Sequence, residues 1–173
     1  MNLATTYMGI PLRSPLIVGA SPLAEDLDTA RRLEDEGAAA LIMPSLYEEE
    51  ITSEQMADFF SSETYGDSFA EASSYLPEAE SAPGPDEYLE HLRRLKKTID
   101  IPVLASLNGC TPGGWTSHAC LMEQAGADGI ELHLYHASSD PAVSSAEVER
   151  QMLQIVSDVK GCLLYTSDAA DEL

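Results

Sequence analysis

The sequence has few basic residues. Nine Lys and Arg stand against thirty Asp and Glu in 173 residues, which gives a formal net charge of −21. Nucleic acids and anionic membrane surfaces are bound through clusters of basic side chains, so neither is expected as a partner. Between Tyr47 and His91 the sequence contains thirteen Asp and Glu and no Lys or Arg. Such a run is typical of a solvated excursion more often than of a cation site or a partner site.

Long apolar runs and targeting signals are also missing. No stretch reaches the ~18 consecutive apolar residues that a membrane span needs. The start, Met1 to Thr5, has neither a basic n-region nor an apolar h-region. We therefore expect no signal peptide, no membrane association and a cytoplasmic location.

Several motifs that would identify a chemistry are absent. The sequence contains no H-E-x-x-H and no G-x-S-x-G, so zinc chemistry and serine hydrolysis have little support. The three cysteines lack the spacing of a metal site, and we expect them to be free thiols. No metal site is predicted.

The apolar residues that are present predict alternating strands and helices. An N-terminal hairpin is expected from two short extended pieces, Leu3–Tyr7 and Leu12–Ser14. Continuous apolar runs, typical of strands buried on both faces, predict four further strands at Leu16–Ala20, Ala40–Met43, Ile101–Leu107 and Gly129–Tyr135. Apolar residues at helical spacing predict helices that begin at Asp26 or Asp28 and end at Gly37, and that span Glu48–Phe60, Asp86–Ile99, Trp115–Gln124 and Ser145–Val159.

Two of these junctions repeat each other. Leu33–Ala38, before the second of the four strands, matches Met122–Ala127, before the fourth, and both turn through Gly-Ala. The repeat indicates parallel βα units, which form either a doubly wound sheet or a (β/α)8 barrel. Because Gly19-Ala20-Ser21-Pro22 is not a dinucleotide-binding loop, the barrel is preferred. The predicted fold is α/β, an incomplete TIM barrel of four βα units with an N-terminal hairpin and a long acidic loop at 60–85.

The last residues have an unusual composition. Residues 162–172 resemble the conceptual translation of a transposase-based sequencing adapter. We therefore expect the genuine sequence to stop near Lys160 or Gly161. Residues 1–161 are then the N-terminal half of one TIM-barrel domain, and residues 162–173 are an artefactual tail. The alternative is a fifth strand at Cys162–Tyr165.

A parallel barrel carries its active site at the C-terminal ends of its strands. In this sequence the four strand ends are Ala20–Pro22, Pro44–Leu46, Asn108–Thr111 and His133–Asp140. They offer backbone amides, hydroxyls, one carboxamide and two imidazoles. Asn108, a carboxamide before a glycine, suits either hydrogen bonding to a ring system or a simple turn.

Several of these segments, taken in order, resemble the dihydroorotate dehydrogenase family, and most closely its dihydroorotate dehydrogenase-like branch. The matching segments are Leu12–Leu16, Ala20–Pro22, Gly37–Ala38, Ser106–Gly109 and Glu131–Leu134. The resemblance covers Leu3 to Lys160 and only the first half of a family member. It implies a TIM barrel that binds FMN and oxidises a substrate of the CH–CH class, with a role in pyrimidine metabolism.

The resemblance also implies roles for individual residues. Ala20, Ser21 and Ser45 match flavin contacts, and His133 stands where the family usually has a flavin-contacting Asn. His136 stands where the family places the base that removes a substrate proton, and an imidazole with a pKa of about 6.5 suits that task. Both histidines are also open to an ordinary interpretation as polar surface residues. Pro44 departs from the family, which has a Lys there.

Three functions stay open. The first is an FMN-dependent oxidoreductase acting on a small molecule, truncated and inactive as this fragment. The second is a non-redox TIM-barrel lyase or isomerase of a phosphorylated metabolite, and the third is a fragment without function. We expect a homodimer for the parent protein. The fragment is expected to self-associate, because its first and fourth strands are open edges.

Overall fold

A computed structural model describes residues 2–53, 84–111, 113–135 and 142–163, which form a mixed α/β fold. The strands are β1 (Thr5–Tyr7), β2 (Ile10–Leu12), β3 (Ile17–Val18), β4 (Ala40–Tyr47), β5 (Val103–Gly109) and β6 (Gly129–Leu134). The helices are α1 (Leu27–Asp35), α2 (described over residues 48–53), α3 (Pro85–Thr98), α4 (Ser117–Ala125) and α5 (Ser145–Cys162). Two short 3-10 turns, Pro22–Ala24 and Gly114–Thr116, precede α1 and α4.

The central element is a parallel sheet of four strands in the order β3-β4-β5-β6. Strands adjacent along the chain are therefore adjacent in the sheet, without a reversal of order. Contacts join α1 to α3, α3 to α4 and α4 to α5, so these helices form one layer. All four contribute to a single apolar core with β4, β5 and β6, through residues such as Ala30, Leu92, Met122 and Ile155. One face of the sheet therefore carries the helices.

The opposite face carries no helix among the described residues, and we call it the helix-free face. It is marked by Ile17, Ala40 and Leu104, which form a second, smaller apolar cluster with Leu12 of the hairpin. The antiparallel hairpin β1-β2 thus covers this face near the N-terminal ends of the strands. At the C-terminal ends of the strands, the same face carries polar side chains.

Gly129, at the start of β6, lies against Leu104 of β5 and against the hairpin. A Cβ there would lie 2.8 Å from Cδ2 of Leu104 and 3.4 Å from Cε of Met8 in the hairpin turn. The first of these distances is too short for a real Cβ, so a larger residue at the start of β6 would require the end of the Leu104 side chain to shift. Because Gly129 has no side chain, the hairpin packs directly against the N-terminal end of β6.

A β-bulge interrupts β4. Ile42 pairs with Leu104, but the next registered pair is Ser45 with Ser106, so Met43 and Pro44 both lie opposite a single residue of β5. A bulge of one extra residue reverses the alternation of side chains along a strand. Before it, Ile42 belongs to the helix-free face; after it, Leu46 is buried among the helices. Ser45 and Tyr47 are thereby turned onto the helix-free face.

A tyrosine from the helix layer completes the hydrogen bonding beside the bulge. The backbone N–H of Ser106 donates to the Tyr88 hydroxyl at 2.9 Å, and that hydroxyl donates to the Ser106 carbonyl at 3.3 Å. Tyr88 is buried, so its hydroxyl joins the helix layer to the backbone of β5 beside the bulge.

The repeated Gly-Ala junction predicted from the sequence is confirmed. Gly37 and Gly126 follow α1 and α4 with φ values of 107° and 104°, a left-handed conformation that favours glycine. The first helix is capped by Asp26, whose side chain accepts from the Thr29 N–H at 2.8 Å. The choice between Asp26 and Asp28 is thus resolved in favour of Asp26.

Several predicted boundaries were wrong. The hairpin turn is Met8–Gly9, so the second hairpin strand lies earlier than Leu12–Ser14. The strand predicted at Leu16–Ala20 spans Ile17–Val18 alone, and that predicted at Ala40–Met43 runs on to Tyr47.

The third sheet strand does not break at Asn108-Gly109 but includes both residues. Cys162 ends α5 and is not in a strand. The acidic loop at 60–85 lies outside the described residues, except that Gly84 precedes α3 and Pro85 begins it. Most of the proposed tail also lies outside them.

In the part of the chain that the structure describes, no helix combines the length and the apolar character that crossing a membrane requires.

Candidate functional site

Polar side chains form two rows across β4, β5 and β6 at the C-terminal half of the helix-free face. The register pairs Ser45 with Ser106, and Ser106 with Glu131. We call these three the first row. Two residues further along each strand, the register pairs Tyr47 with Asn108 and Asn108 with His133. This second row lies nearer the strand ends, on the same face, because strand side chains alternate.

The first row is a continuous chain of hydrogen bonds. The Ser106 hydroxyl donates to Oε2 of Glu131 at 3.1 Å, and the Oγ atoms of Ser45 and Ser106 lie 2.8 Å apart. A serine has one hydroxyl proton, and that of Ser106 is given to Glu131. Ser45 is therefore the donor to Ser106, and both hydroxyls point toward the carboxylate.

The second row contacts the first row at His133. Its Nε2 lies 2.9 Å from the same Oε2 of Glu131. The side chains of Glu131 and His133 are 34% and 50% exposed, whereas Ser106 is fully buried. The arrangement thus runs from a buried serine through a half-buried carboxylate to an imidazole at the surface of the sheet.

The order of these residues limits the chemistry. In a Ser-His-acid triad the imidazole lies between the acid and the nucleophile. Here the carboxylate lies between the serines and the imidazole, so neither serine hydroxyl contacts the imidazole in the described structure. The terminal group is the imidazole. The site is therefore suited to acid–base chemistry rather than to acyl transfer by a serine.

Glu48, directly after β4, fixes the loop that follows β5. Its Oε2 accepts from the backbone N–H of Cys110 at 2.8 Å and of Thr111 at 3.2 Å, and its Oε1 accepts from the Thr111 hydroxyl. Burial raises the pKa of Glu48, but these hydrogen bonds outweigh it and lower the pKa below the ordinary 4.5. The carboxylate is therefore ionised at neutral pH and joins the ends of β4 and β5.

Trp115 packs on the end of β5 from the other side of that loop. Its Nε1 donates to the Thr111 carbonyl at 2.6 Å. A Cβ at Gly109 would lie 2.6 Å from Cζ2 of the indole ring, so the ring rests directly on the glycine backbone. Glu48 and Trp115 together hold the segment that carries Asn108.

The predicted site residues are only partly brought together. Ser45, Asn108 and His133 lie within the two rows on neighbouring strands. Ser21 and Ala20 follow β3, the strand next to β4. Among the described residues the Oγ of Ser21 is buried and has no hydrogen-bond partner. His136 lies outside the described residues.

No family model matches the chain, and neither does any curated protein. Within the described ranges, no group of three or more His, Cys, Asp and Glu side chains is placed to hold a metal ion. What the site is able to do has therefore to follow from its own residues.

Three members of the two rows were not predicted as site residues from the sequence: Tyr47, Ser106 and Glu131. A signal for them existed, because each of the three strands carries a pair of polar residues at i and i+2. The pairs are Ser45/Tyr47, Ser106/Asn108 and Glu131/His133. In strands that are otherwise apolar, this period of two marks a polar face.

Proposed function

We propose that the sheet is the first half of a (β/α)8 barrel and that the two rows form the floor of an FMN site in an oxidoreductase resembling dihydroorotate dehydrogenase. The order β3-β4-β5-β6 without reversal, with helices on one face, supports the barrel. A doubly wound sheet places helices on both faces and reverses its strand order.

The observation that carries the proposal is that Ser45, Asn108 and His133 come together at the C-terminal ends of adjacent strands. Active sites of parallel barrels lie at that end. The three residues come from segments that lie far apart along the chain. The family resemblance implies flavin contacts for Ser45 and His133, and the carboxamide of Asn108 suits hydrogen bonding to a ring system.

The groups present are chemically suited to a flavin. The polar edge of an isoalloxazine ring offers both donors and acceptors, and a carboxamide or a hydroxyl pairs with either. Asn108 makes no hydrogen bond through its carboxamide among the described residues, and the Ser21 hydroxyl is an unpartnered buried group. We assign Asn108, Ser21 and Ser45 to hold the ring, with the backbone at Ala20 beside it.

When bound, FMN supplies hydride transfer, which no side chain provides. The chain's own residues supply position and proton handling. Glu48 and Trp115 fix the loop beside Asn108, and the first row holds Glu131 against His133.

The test is a titration of FMN with the full 173-residue chain, followed by quenching of flavin fluorescence. We expect saturable binding, and we expect Asn108→Ala to weaken it about tenfold, the effect of one lost hydrogen bond of about 1.4 kcal/mol. Asn2→Ala is the matched control, because Asn2 precedes the hairpin and its Oδ1 accepts only from Ala4 N–H in the described structure. No saturable quenching, or equal affinity in both variants, contradicts the proposal.

A non-redox barrel enzyme, a lyase or an isomerase, is the second candidate. The Glu131–His133 pair favours it, since a carboxylate-held imidazole serves proton transfer without a cofactor. Absence of FMN binding together with a reactive His133 would favour this second function.

A further inference from the structure

We propose that the chain forms a homodimer through the exposed edge of β6. The β6 strands of two copies then run antiparallel about a two-fold axis at Leu132, which joins the two parallel sheets into one. The sequence predicts self-association through open strand edges without indicating which edge pairs. Such a dimer does not depend on FMN binding.

The longest open edge among the described residues belongs to β6. This strand lies last in the order β3-β4-β5-β6, and it pairs with β5 over six consecutive residues without a bulge. The strand at the other end of the sheet, β3, has two residues, and each hairpin strand has three. Proteins protect exposed edges with Lys, Pro, a bulge or a very short strand, and β6 has none of these. Its edge is therefore able to accept a further strand.

The backbone groups of β6 alternate between β5 and the open side. The Asp128 N–H donates to the Val103 carbonyl at 2.9 Å, so the even-numbered residues that follow also face β5. Because the direction of the backbone groups alternates along a strand, Gly129, Glu131 and His133 direct theirs outward. No strand among the described residues pairs with that side.

The side chains of β6 favour one register for a second copy. An antiparallel partner forms hydrogen-bonded pairs between residues whose backbone groups point outward. If Glu131 opposed itself, two carboxylates would stand directly opposite each other, which is unfavourable. A shift of two residues places Glu131 opposite His133 of the second copy, whose ring N–H is able to donate to the carboxylate. This register also pairs the whole of 129–135 with itself, which is the longest overlap.

The same register matches the apolar residues on the helix side of β6. Ile130, Leu132 and Leu134 pack against the core but are only partly buried. In the dimer, Leu132 opposes Leu132 of the second copy, and Ile130 opposes Leu134. Every pair on this side is apolar, so the contact removes apolar surface from water, which favours association.

Tyr135 gains a partner in this dimer. It directly follows β6 and is 74% exposed, and the register places it opposite Gly129 of the second copy. An aromatic side chain is able to cover a glycine on a neighbouring strand. Met8 of the hairpin lies at the same place, because its Cε would be 3.4 Å from a Cβ at Gly129. A thioether is a favourable neighbour for an aromatic ring.

The net charge of −21 on each chain opposes association. At 0.15 M salt the Debye length is about 8 Å, so repulsion between distant exposed charges is largely screened. The contacts at the β6 edge then decide whether the dimer forms. The measurements below are therefore made at this ionic strength.

The first measurement is sedimentation equilibrium of the full 173-residue chain. We expect a reversible monomer–dimer equilibrium. His133→Glu places carboxylates opposite each other in two symmetric pairs and should raise Kd about tenfold, whereas His133→Lys keeps opposite charges and should stay within about threefold of the wild type. Tyr135→Ala should raise Kd about three- to tenfold through the loss of the ring contact.

Arg31→Gln is the control for net charge. It changes the charge of the chain by the same amount as His133→Glu, but at an exposed position of α1 and not on β6. Its Kd should match that of the wild type. A chain that stays monomeric up to about 1 mM, or equal Kd values for His133→Glu and His133→Lys, overturns the dimer.

The second measurement tests the register. Leu132 opposes itself as a non-hydrogen-bonded pair, whose Cα atoms lie about 4.5 Å apart, within the range of a disulfide. With Cys110, Cys120 and Cys162 replaced by Ser, Leu132→Cys should give a disulfide-linked dimer, the two thiols passing two electrons and two protons to dissolved oxygen under copper–phenanthroline catalysis. Leu134→Cys is the matched control, because its two copies would lie about 13 Å apart along the strands.

The outcomes separate the possible contacts. Cross-linking of Leu134→Cys in preference to Leu132→Cys overturns the register. A dimer by sedimentation with neither cross-link overturns pairing through β6. If Leu132→Cys does not fold, the comparison of His133→Glu with His133→Lys still decides. A monomeric chain that binds FMN overturns the dimer and upholds the proposed function, and a dimer that does not bind FMN does the reverse.

Discussion

The contact between Gly109 and Trp115 offers the sharpest test of how the end of β5 is built. In Gly109→Ala, the new Cβ would stand 2.6, 2.7 and 2.8 Å from three atoms of the indole ring. The ring is 3% exposed and is tied to the Thr111 carbonyl through Nε1, so it has little room to withdraw. The substitution should force the ring away and loosen the loop after β5.

Overpacking of this kind costs about 1–3 kcal/mol in the free energy of unfolding. For a chain of this length each kcal/mol lowers Tm by about 2–4 °C. Trp115 is the only tryptophan, so its fluorescence in a urea titration reports the transition and also any new exposure of the ring in the folded state. Far-UV circular dichroism of the same samples gives an independent midpoint.

Gly19→Ala is the matched control, because nothing lies within 4 Å of a Cβ at that position. It should change stability by less than about 0.5 kcal/mol. The loss in Gly109→Ala should shrink when Trp115 is also replaced by Phe, since the smaller ring relieves the clash. Equal stability of Gly109→Ala and Gly19→Ala would refute the contact.

Three further substitutions test other parts of the structure. Tyr88→Phe removes the hydroxyl that satisfies both backbone groups of Ser106 and should cost about 1–3 kcal/mol in urea unfolding, because two buried polar groups lose their partner. Glu48→Gln should destabilise the chain at neutral pH, and the difference from the wild type should close in acid. The folded-state pKa of Glu48 is lowered, so the stability it contributes with Thr111 is present above pH 4.5 and is lost as the pH falls through the folded-state pKa. Gly126→Ala should cost about 1–2 kcal/mol in thermal unfolding, because its φ of 104° is strained for alanine.

Each of these has a control in the same chain. Tyr135→Phe alters a tyrosine that is 74% exposed and should be neutral. Glu149→Gln alters an exposed glutamate of α5 and should change stability by less than about 0.5 kcal/mol. Gly161→Ala, within α5, should be neutral or slightly stabilising. The Tyr88 contact is contradicted if Tyr88→Phe is as stable as Tyr135→Phe. The Glu48 contact is contradicted if the difference in stability between Glu48→Gln and the wild type persists at pH 3. The strained turn at Gly126 is contradicted if Gly126→Ala is neutral.

The alternation of strands and helices was predictable because it depends on local patterns. Four apolar runs, each followed by apolar residues at helical spacing, predicted the parallel sheet, and the Gly-Ala repeat predicted the two left-handed turns at Gly37 and Gly126. Strand ends were less accurate. Asn108-Gly109 reads as a turn from composition, but pairing with β6 keeps both residues in the strand, and such pairing is not encoded locally.

The first row was not predictable because it depends on the bulge in β4. Strict alternation from Ala40 and Ile42 would place Pro44 and Leu46 on the helix-free face and Ser45 among the helices. The extra residue at Met43–Pro44 reverses this and brings Ser45 to Ser106. The bulge is stabilised by the hydroxyl of Tyr88 from a distant helix, so only the tertiary structure determines where Ser45 points.

We propose that one face of the sheet, at the C-terminal ends of β4, β5 and β6, binds FMN. A crystal structure of the full chain grown with FMN tests it most directly. We expect the isoalloxazine ring on the helix-free face, with the Asn108 carboxamide within hydrogen-bond distance of the ring. A flavin on the helix side of the sheet, or away from the two rows, would contradict the account.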